Sequence, residues 1–199
     1  MGYVDSFNLY YGLKSRGWSR LFWLDAIKLV ERLAKPGQFV SGVRYFTARL
    51  PQQSDQQKQQ RMLLGVYEGL GGCSLYYGKY QNTRRRCIHC GIETEIPSEK
   101  MTDVNIAIEL LSDAVQDAFD TALLISADSD LTPAVLKVRV LFPGKRVIIA
   151  FPPDRFSQSL AEAAHGYVVI GRAKLAASQL PDRIEQEDGS VLVRPGGWK

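Results

Sequence analysis

The run Thr121-Ala122-Leu123-Leu124-Ile125-Ser126 constrains this chain more than any other segment. It is almost continuously apolar, shorter than a typical helix, and followed at once by Ala127-Asp128-Ser129-Asp130. Such a run reads as a strand covered on both faces, the signature of a central strand in a parallel sheet. Parallel neighbours are joined by crossover connections, usually helices. The remaining sequence supplies them in alternation.

Tyr3-Val4 reads as a first strand closing in the polar turn Asp5-Ser6-Phe7-Asn8. Leu24, Ile27, Val30 and Leu33 predict a helix over 21–33, stopped by Pro36-Gly37. A β-branched and aromatic strand follows over 39–48, then a Gln-rich helix over 54–70 whose apolar stripe is Met62, Val66 and Leu70, ended by Gly71-Gly72. A third strand is expected over 73–80. Val104, Ile108, Leu111 and Val115 mark a helix over 102–118. Beyond the central strand come a helix from Leu131, a strand over 146–151, a helix near 157–164 and a last strand over 167–170. The predicted fold is a three-layer α/β/α sandwich around a mainly parallel, doubly wound sheet of Rossmann-like topology.

At 199 residues, 45% of them hydrophobic, the chain suits one globular domain, expected over 1–180. Residues 81–99 lack periodicity and read as an insertion or long loop; 181–199 are polar and read as a tail or peripheral hairpin. Three cysteines argue against a disulfide framework, and no apolar run approaches the roughly 18 residues of a membrane span, so a cytoplasmic protein without a membrane partner is expected. With two histidines, acid–base or metal chemistry must rest on carboxylates.

Those carboxylates fall where a parallel sheet forms its sites, at the carboxyl ends of strands. Asp5 follows the first strand, Asp128 and Asp130 follow the central one, and Asp103 opens the helix running into it. Each has a local alternative: an Asx turn, a helix cap or a first-turn acid. Together they suggest convergence, which like-charge repulsion permits only with a cation among them; oxygen ligands suit Mg²⁺ or Mn²⁺.

Tyr3-Val4-Asp5-Ser6-Phe7-Asn8-Leu9, Glu99-Lys100-Met101-Thr102-Asp103-Val104-Asn105-Ile106-Ala107, Phe119-Asp120 and Leu124-Ile125-Ser126-Ala127-Asp128-Ser129-Asp130-Leu131-Thr132-Pro133 resemble, in consistent order, the NYN family of PIN-like ribonuclease domains in its bacterial branch. Gly144-Lys145-Arg146-Val147 and Ser159-Leu160 extend the resemblance over about residues 2 to 171. It implies metal-dependent, endonucleolytic cleavage of RNA, with metal ligation by Asp5, Asp103, Asp128 and Asp130, Asn8 as a polar partner and Lys100 as a phosphate-holding or simply solvated lysine. Ala127 departs from the family's usual glycine, and a left-handed backbone there would be strained. Two alternatives remain: a non-catalytic RNA-binding module of the same fold, and a haloacid-dehalogenase-like phosphatase with Asp128 as nucleophile and Asp130 as general acid.

The net charge of +4 favours an anionic partner. Lys14 and Arg16, with Tyr10, Tyr11 and Trp18, and Lys79, Arg84, Arg85 and Arg86, with Tyr76, Tyr77 and Tyr80, are the candidate RNA contacts. Core packing is the rival role for the aromatics. Cys87-Ile88-His89-Cys90 is half a zinc knuckle; a tetrahedral site needs two further ligands, so reduced thiols are expected ahead of structural Zn²⁺. Cys73 with His89 or His165 would complete such a site within one chain, and a homodimer pooling two Cys87/Cys90 pairs would do so between chains.

Overall fold

The computed structural model describes residues 1–50, 54–86, 88–186 and 188–198. Its centre is a six-stranded parallel sheet of β1 (Gly2–Asp5), β2 (Val43–Thr47), β3 (Cys73–Tyr77), β6 (Thr121–Ile125), β7 (Arg146–Phe151) and β8 (Tyr167–Val169). The spatial order is β3-β2-β1-β6-β7-β8, so the winding reverses between β1 and β6. There Gly2, Tyr3 and Val4 pair with Leu123, Leu124 and Ile125. The central run is thus the neighbour of the first strand at the switch point, the position where open α/β sheets leave a crevice.

Strand alternation divides the core. Val4, Ile125 and Tyr45 face one side, packed under α1 (Ser6–Ser15), α2 (Ala26–Leu33) and α3 (Asp55–Gly69). Tyr3, Leu124 and Phe46 face the other, under α4 (Thr102–Val115), α5 (Thr132–Leu141) and α6 (Gln158–Ala163). The three-layer α/β/α architecture is the one anticipated. A short helix α7 (Arg172–Ala176) closes the first side.

In α3, Val66 is buried and Leu70 packs against the core as expected, joined by Leu63, Leu64 and Tyr67, while Met62 is exposed. Helix α4 presents a face other than the one expected. In α4 the stripe Val104, Ile108 and Val115 lies in solvent and Ile106, Leu110 and Ala114 are buried instead. The cause in α4 is Asp113, fully buried and ion-paired with Arg44 of β2. Tyr3 Oη donates to the same carboxylate at 2.5 Å, and Arg44 also reaches Glu109 at 3.2 Å. The helix carries apolar residues on both faces, and this buried network selects which one meets the sheet.

Residues 81–99 are not a loop. β4 (Lys79–Arg86) and β5 (Glu93–Lys100) form an antiparallel hairpin with Lys79 opposite Lys100 and Arg86 opposite Glu93. Its base is tight: a Cβ on Gly78 would stand 2.6 Å from the Lys100 carbonyl oxygen, so a side chain is excluded there. The helix expected over 21–33 begins only at Ala26, where Asp25 caps it by accepting from Lys28 N. Beyond 181, β9 (Arg183–Glu185) and β10 (Val191–Val193) pair as a hairpin, and Trp198 is buried against Phe22 and Trp23. That end of the chain is part of the packed structure rather than a free tail. Among the described residues no helix is long and apolar enough to cross a membrane.

Removing one partner of a buried ion pair strands the other charge. Asp113→Ala should therefore lower unfolding free energy by about 3–5 kcal/mol, whereas Ile108→Ser, on the exposed face, should stay within about 0.5 kcal/mol. Urea denaturation of both variants against wild type measures the difference.

Candidate active site

Asp5 ends β1 and caps α1. Its carboxylate is 2% exposed and accepts from Asn8 N at 3.0 Å, Asn8 Nδ2 at 2.8 Å and Ser126 Oγ at 2.8 Å. The network continues on both sides. Ser126 Oγ accepts from Asp128 N at 3.0 Å, and Asp128 Oδ1 accepts from Asp130 N at 3.0 Å. Asn8 Oδ1 accepts from Ala127 N at 3.3 Å and from Arg155 at 3.2 Å. Ala127 is not among the residues with positive φ, so the departure from glycine carries no left-handed strain. The capping alternative for Asp128 is realised in a short 3₁₀ turn over Ser129–Leu131.

Asp103 sits half-buried in the first turn of α4. Met101 precedes that helix with φ of 78°, turning the chain out of β5 and bringing the end of the hairpin beside the helix start. Burial, then the charges of Asp128, Asp5 and Asp130, push the Asp103 carboxyl up to about 6. Glu99, not assigned a role from the sequence, belongs to the same field: burial, then Asp5, Asp103 and Asp128, push it up to about 8. Asp5 is raised chiefly by burial, against the opposing hydrogen bonds of Asn8 and Ser126. Five acids from β1, β5, α4 and the segment after β6 thus share one electrostatic neighbourhood.

The sequence contained a signal for Glu99, since it lies in the segment that also holds Lys100 and Asp103. Arg155 was also missed, although it follows β7 at the same edge of the sheet. Pro152-Pro153 brings it in against α1, where a Cβ on Gly12 would stand 2.7 Å from the Pro153 carbonyl oxygen. Arg155 also lies 5.6 Å from the Tyr11 ring centre.

A hard divalent cation suits an all-oxygen set whose members raise one another's pKa. Among the described residues no three acid, cysteine or histidine side chains stand close enough to share an ion. That spacing is compatible with Mg²⁺, which commonly takes one or two carboxylates and leaves the rest of its octahedron to water and substrate phosphate oxygens.

The basic candidates lie on two structures. Lys79, Arg84, Arg86 and Lys100 are exposed along the hairpin that starts at the site, Arg86 bonding the Gly91 carbonyl at 3.3 Å. The Arg85 side chain lies outside what is described. Lys14 lies near the Tyr10 and Tyr11 rings, whereas Arg16 is ion-paired with Asp154 and stacks on half-buried Trp18. Tyr76 is engaged by Arg44 and Phe46 and is structural. Cys87 falls outside the described residues. Cys90 is exposed near the hairpin turn, while Cys73 starts β3 against the core and His165 Nδ1 accepts from Val147 N. These last two do not gather around Cys90.

Between α1 and α3 lies a cavity of about 150 Å³ lined by Tyr10, Tyr11, Phe22, Tyr67, Tyr80 and Trp198 among others. Tyr80 joins it to the acids, standing opposite Glu99 in the hairpin and 6.1 Å from the Phe7 ring.

A doubly wound α/β sheet gathers its ligands in the crevice at its switch point, and here acids surround that crevice. The NYN domain model matches residues 3–171, and the chain belongs to that family, whose domains are typically nuclease-like. It is 24% identical over 238 aligned residues to the 6-hydroxy-3-succinoylpyridine 3-monooxygenase HspA of Pseudomonas putida (strain DSM 28022 / S16), covering 98% of this chain and 74% of that protein. A protein of unknown function, VPA0982, from Vibrio parahaemolyticus RIMD 2210633 shares the fold with TM-score 0.56 and 22% identity, over 86% of this chain and 91% of that one.

A carboxyl with a raised folded-state pKa binds its proton more tightly when folded, so stability is greatest below its unfolded value and is lost as pH rises through the folded one. Without divalent metal, Asp103 and Glu99 should therefore make the melting temperature fall between about pH 4 and 8. The upper half of that fall should be shallower in Glu99→Gln. Thermal melts in EDTA at stepped pH, wild type beside variant, measure it.

Proposed function

We propose that the protein is a metal-dependent ribonuclease. The observation that carries this reading is the shared field of Asp5, Glu99, Asp103, Asp128 and Asp130 at the carboxyl edge of the sheet, where burial first and then the neighbouring charges raise the Asp103 and Glu99 pKa values. One or two carboxylates of the set Asp5, Asp103, Asp128 and Asp130, with Glu99 nearby, would hold Mg²⁺ or Mn²⁺, and water and substrate phosphate oxygens would complete its shell. When bound, such an ion lowers the pKa of an attacking water and neutralises charge on the phosphate. The chain's own groups do the rest. Ser126 and Asn8 orient the Asp5 carboxylate, and Arg155 fixes Asn8 in turn. Lys100, Lys79, Arg84, Arg86 and Lys14 offer cations for phosphates flanking the cut. Arg16 is the weakest of these candidates because Asp154 already neutralises it.

The likeness to a hydroxypyridine monooxygenase, together with the aromatic cavity beside the acids, favours a second reading in which a small hydroxylated heteroaromatic compound is the substrate. The phosphatase alternative has no such support: Asp154 pairs with Arg16 and Glu162 with Gln158, so neither completes an acidic pair beside Asp128.

Purified protein should cut single-stranded RNA with Mn²⁺ or Mg²⁺. Asp128→Asn, which keeps a capping side chain, should slow cutting by about a hundredfold or more with an unchanged melt. Equal cutting by both proteins refutes the site. RNA binding without cutting under either metal favours a binding module. Consumption of 6-hydroxy-3-succinoylpyridine with dioxygen and a reduced nicotinamide nucleotide, and no RNA cleavage, favours the second reading.

A further inference from the structure

The cavity between α1 and α3 is built unlike a gap left by poor packing. Its floor is buried: Tyr67 is 1% exposed, Trp198 7% and Tyr45 8%. Tyr67 is anchored by donating to the Leu24 carbonyl at 2.6 Å, and Tyr45 lies 4.7 Å from it, ring to ring. The mouth is open, with Tyr11 43% exposed and Lys14 exposed beside it. Cavities of about 150 Å³ admit a benzene ring, which is the volume found here. One six-membered ring fits within it.

The lining combines stacking faces with a polar row. Tyr10 and Tyr11 cross edge to face at 5.3 Å, and Tyr10 lies 4.8 Å from Phe22. Gln56, Gln59 and Gln60 border the cavity from α3. Gln60 is committed to its surroundings, donating to the Ala48 carbonyl at 3.0 Å and accepting from Leu50 N at 3.0 Å. The Gln56 and Gln59 carboxamides each offer both a donor and an acceptor, the complement of a ring edge carrying an N–H and a carbonyl oxygen. Cations stand at the mouth, Arg155 5.6 Å and Lys14 6.0 Å from the Tyr11 ring centre. Arg155 also bonds Asn8 of the acidic network.

From this geometry we propose that the cavity is a base subsite: it receives one pyrimidine ring of the RNA, stacked between its tyrosines and read by the glutamines, while the adjoining phosphate stays outside toward Arg155 and the acids. The assignment rests on the ribonuclease reading for its substrate. Its recognition chemistry, a six-membered heteroaromatic ring bearing oxygen, would also suit a free hydroxypyridine, and the test separates the two.

Trp198 lines the cavity, so ring binding should quench its fluorescence. Uridine 5′-monophosphate, adenosine 5′-monophosphate and 6-hydroxynicotinate are titrated in EDTA into wild type, into Trp198→Phe as the control for the reporter, and into Gln59→Phe, which fills the cavity from a partly exposed position without adding a fluorophore. Saturable quenching by the uridine nucleotide, at least about tenfold tighter than the adenosine nucleotide and weakened about tenfold or more in Gln59→Phe, is the expected result. With Mn²⁺, wild type should then prefer pyrimidine-containing over all-purine oligonucleotides, and Gln59→Phe should lose that preference while its melt is unchanged. No saturable quenching, equal affinity for both nucleotides, or binding of 6-hydroxynicotinate alone overturns the proposal. Uridine nucleotide binding that Gln59→Phe abolishes, without RNA cleavage by wild type, leaves the subsite standing and overturns only the ribonuclease reading.

Discussion

The carboxylate of Asp5 sits almost fully buried at the one place where the sheet reverses its winding. Burying a charge is costly unless hydrogen bonds replace the water it loses. Here the replacements are Asn8 N, Asn8 Nδ2 and Ser126 Oγ. These donors come from the first turn of α1 and from the end of β6, so satisfying Asp5 locks the two central strands and the first helix into one relative position. Everything else at the site hangs from those donors: Ser126 accepts from the Asp128 backbone, and Asn8 accepts from Ala127 and Arg155. A change at Asp5 would therefore loosen three elements, and loss of activity there would not by itself separate ligation from architecture. Asp128, half-exposed and bonded mainly through its own turn, is the cleaner probe.

Charge is distributed in opposition. The first 180 residues hold 22 basic and 17 acidic residues, yet five of those acids crowd one edge of the sheet. Burial, reinforced by repulsion within that group, raises Glu99 to about 8, so near neutrality the apo cluster keeps a proton it would surrender to a cation. The hairpin that delivers Glu99 also carries Lys79, Arg84, Arg86 and Lys100 outward. An anionic polymer following the hairpin would reach these acids, where a divalent ion would be needed for it to approach.

What was legible in the sequence follows from which signals are local. The central strand announced itself as an apolar run, and strand ends placed Asp5, Asp128 and Asp130, because a parallel sheet directs all of its strand ends to one edge. The orientation of α4 was not legible, since its two faces are both apolar and the choice is made by Asp113 against Arg44, 69 residues away in sequence. The hairpin was hidden for a different reason: β4 and β5 pair with each other rather than with the central sheet, and no alternation of apolar and polar residues marks residues 81–99. Glu99 went unassigned although it shares a segment with Lys100 and Asp103, because with the hairpin read as a loop no strand end carried it to the edge where the other acids lie.

Helix α1 shows how one element can serve two chemistries. Phe7, Tyr10, Tyr11 and Lys14 fall at i, i+3, i+4 and i+7, so they form one stripe, while Asn8 is turned about 100° from Phe7 toward the acids. An aromatic stripe at this spacing ordinarily packs into a core, and Leu9 and Leu13 already fulfil that role on this helix at 4% and 2% exposure. The second stripe has no sheet left to cover. It borders a cavity instead, and because Asp5 caps the same helix, the cavity and the acids are held at a fixed separation by the stiffness of a single turn. A substrate that engages both would be positioned without any domain motion, which is how a rigid scaffold converts ring binding into alignment of the bond beside it.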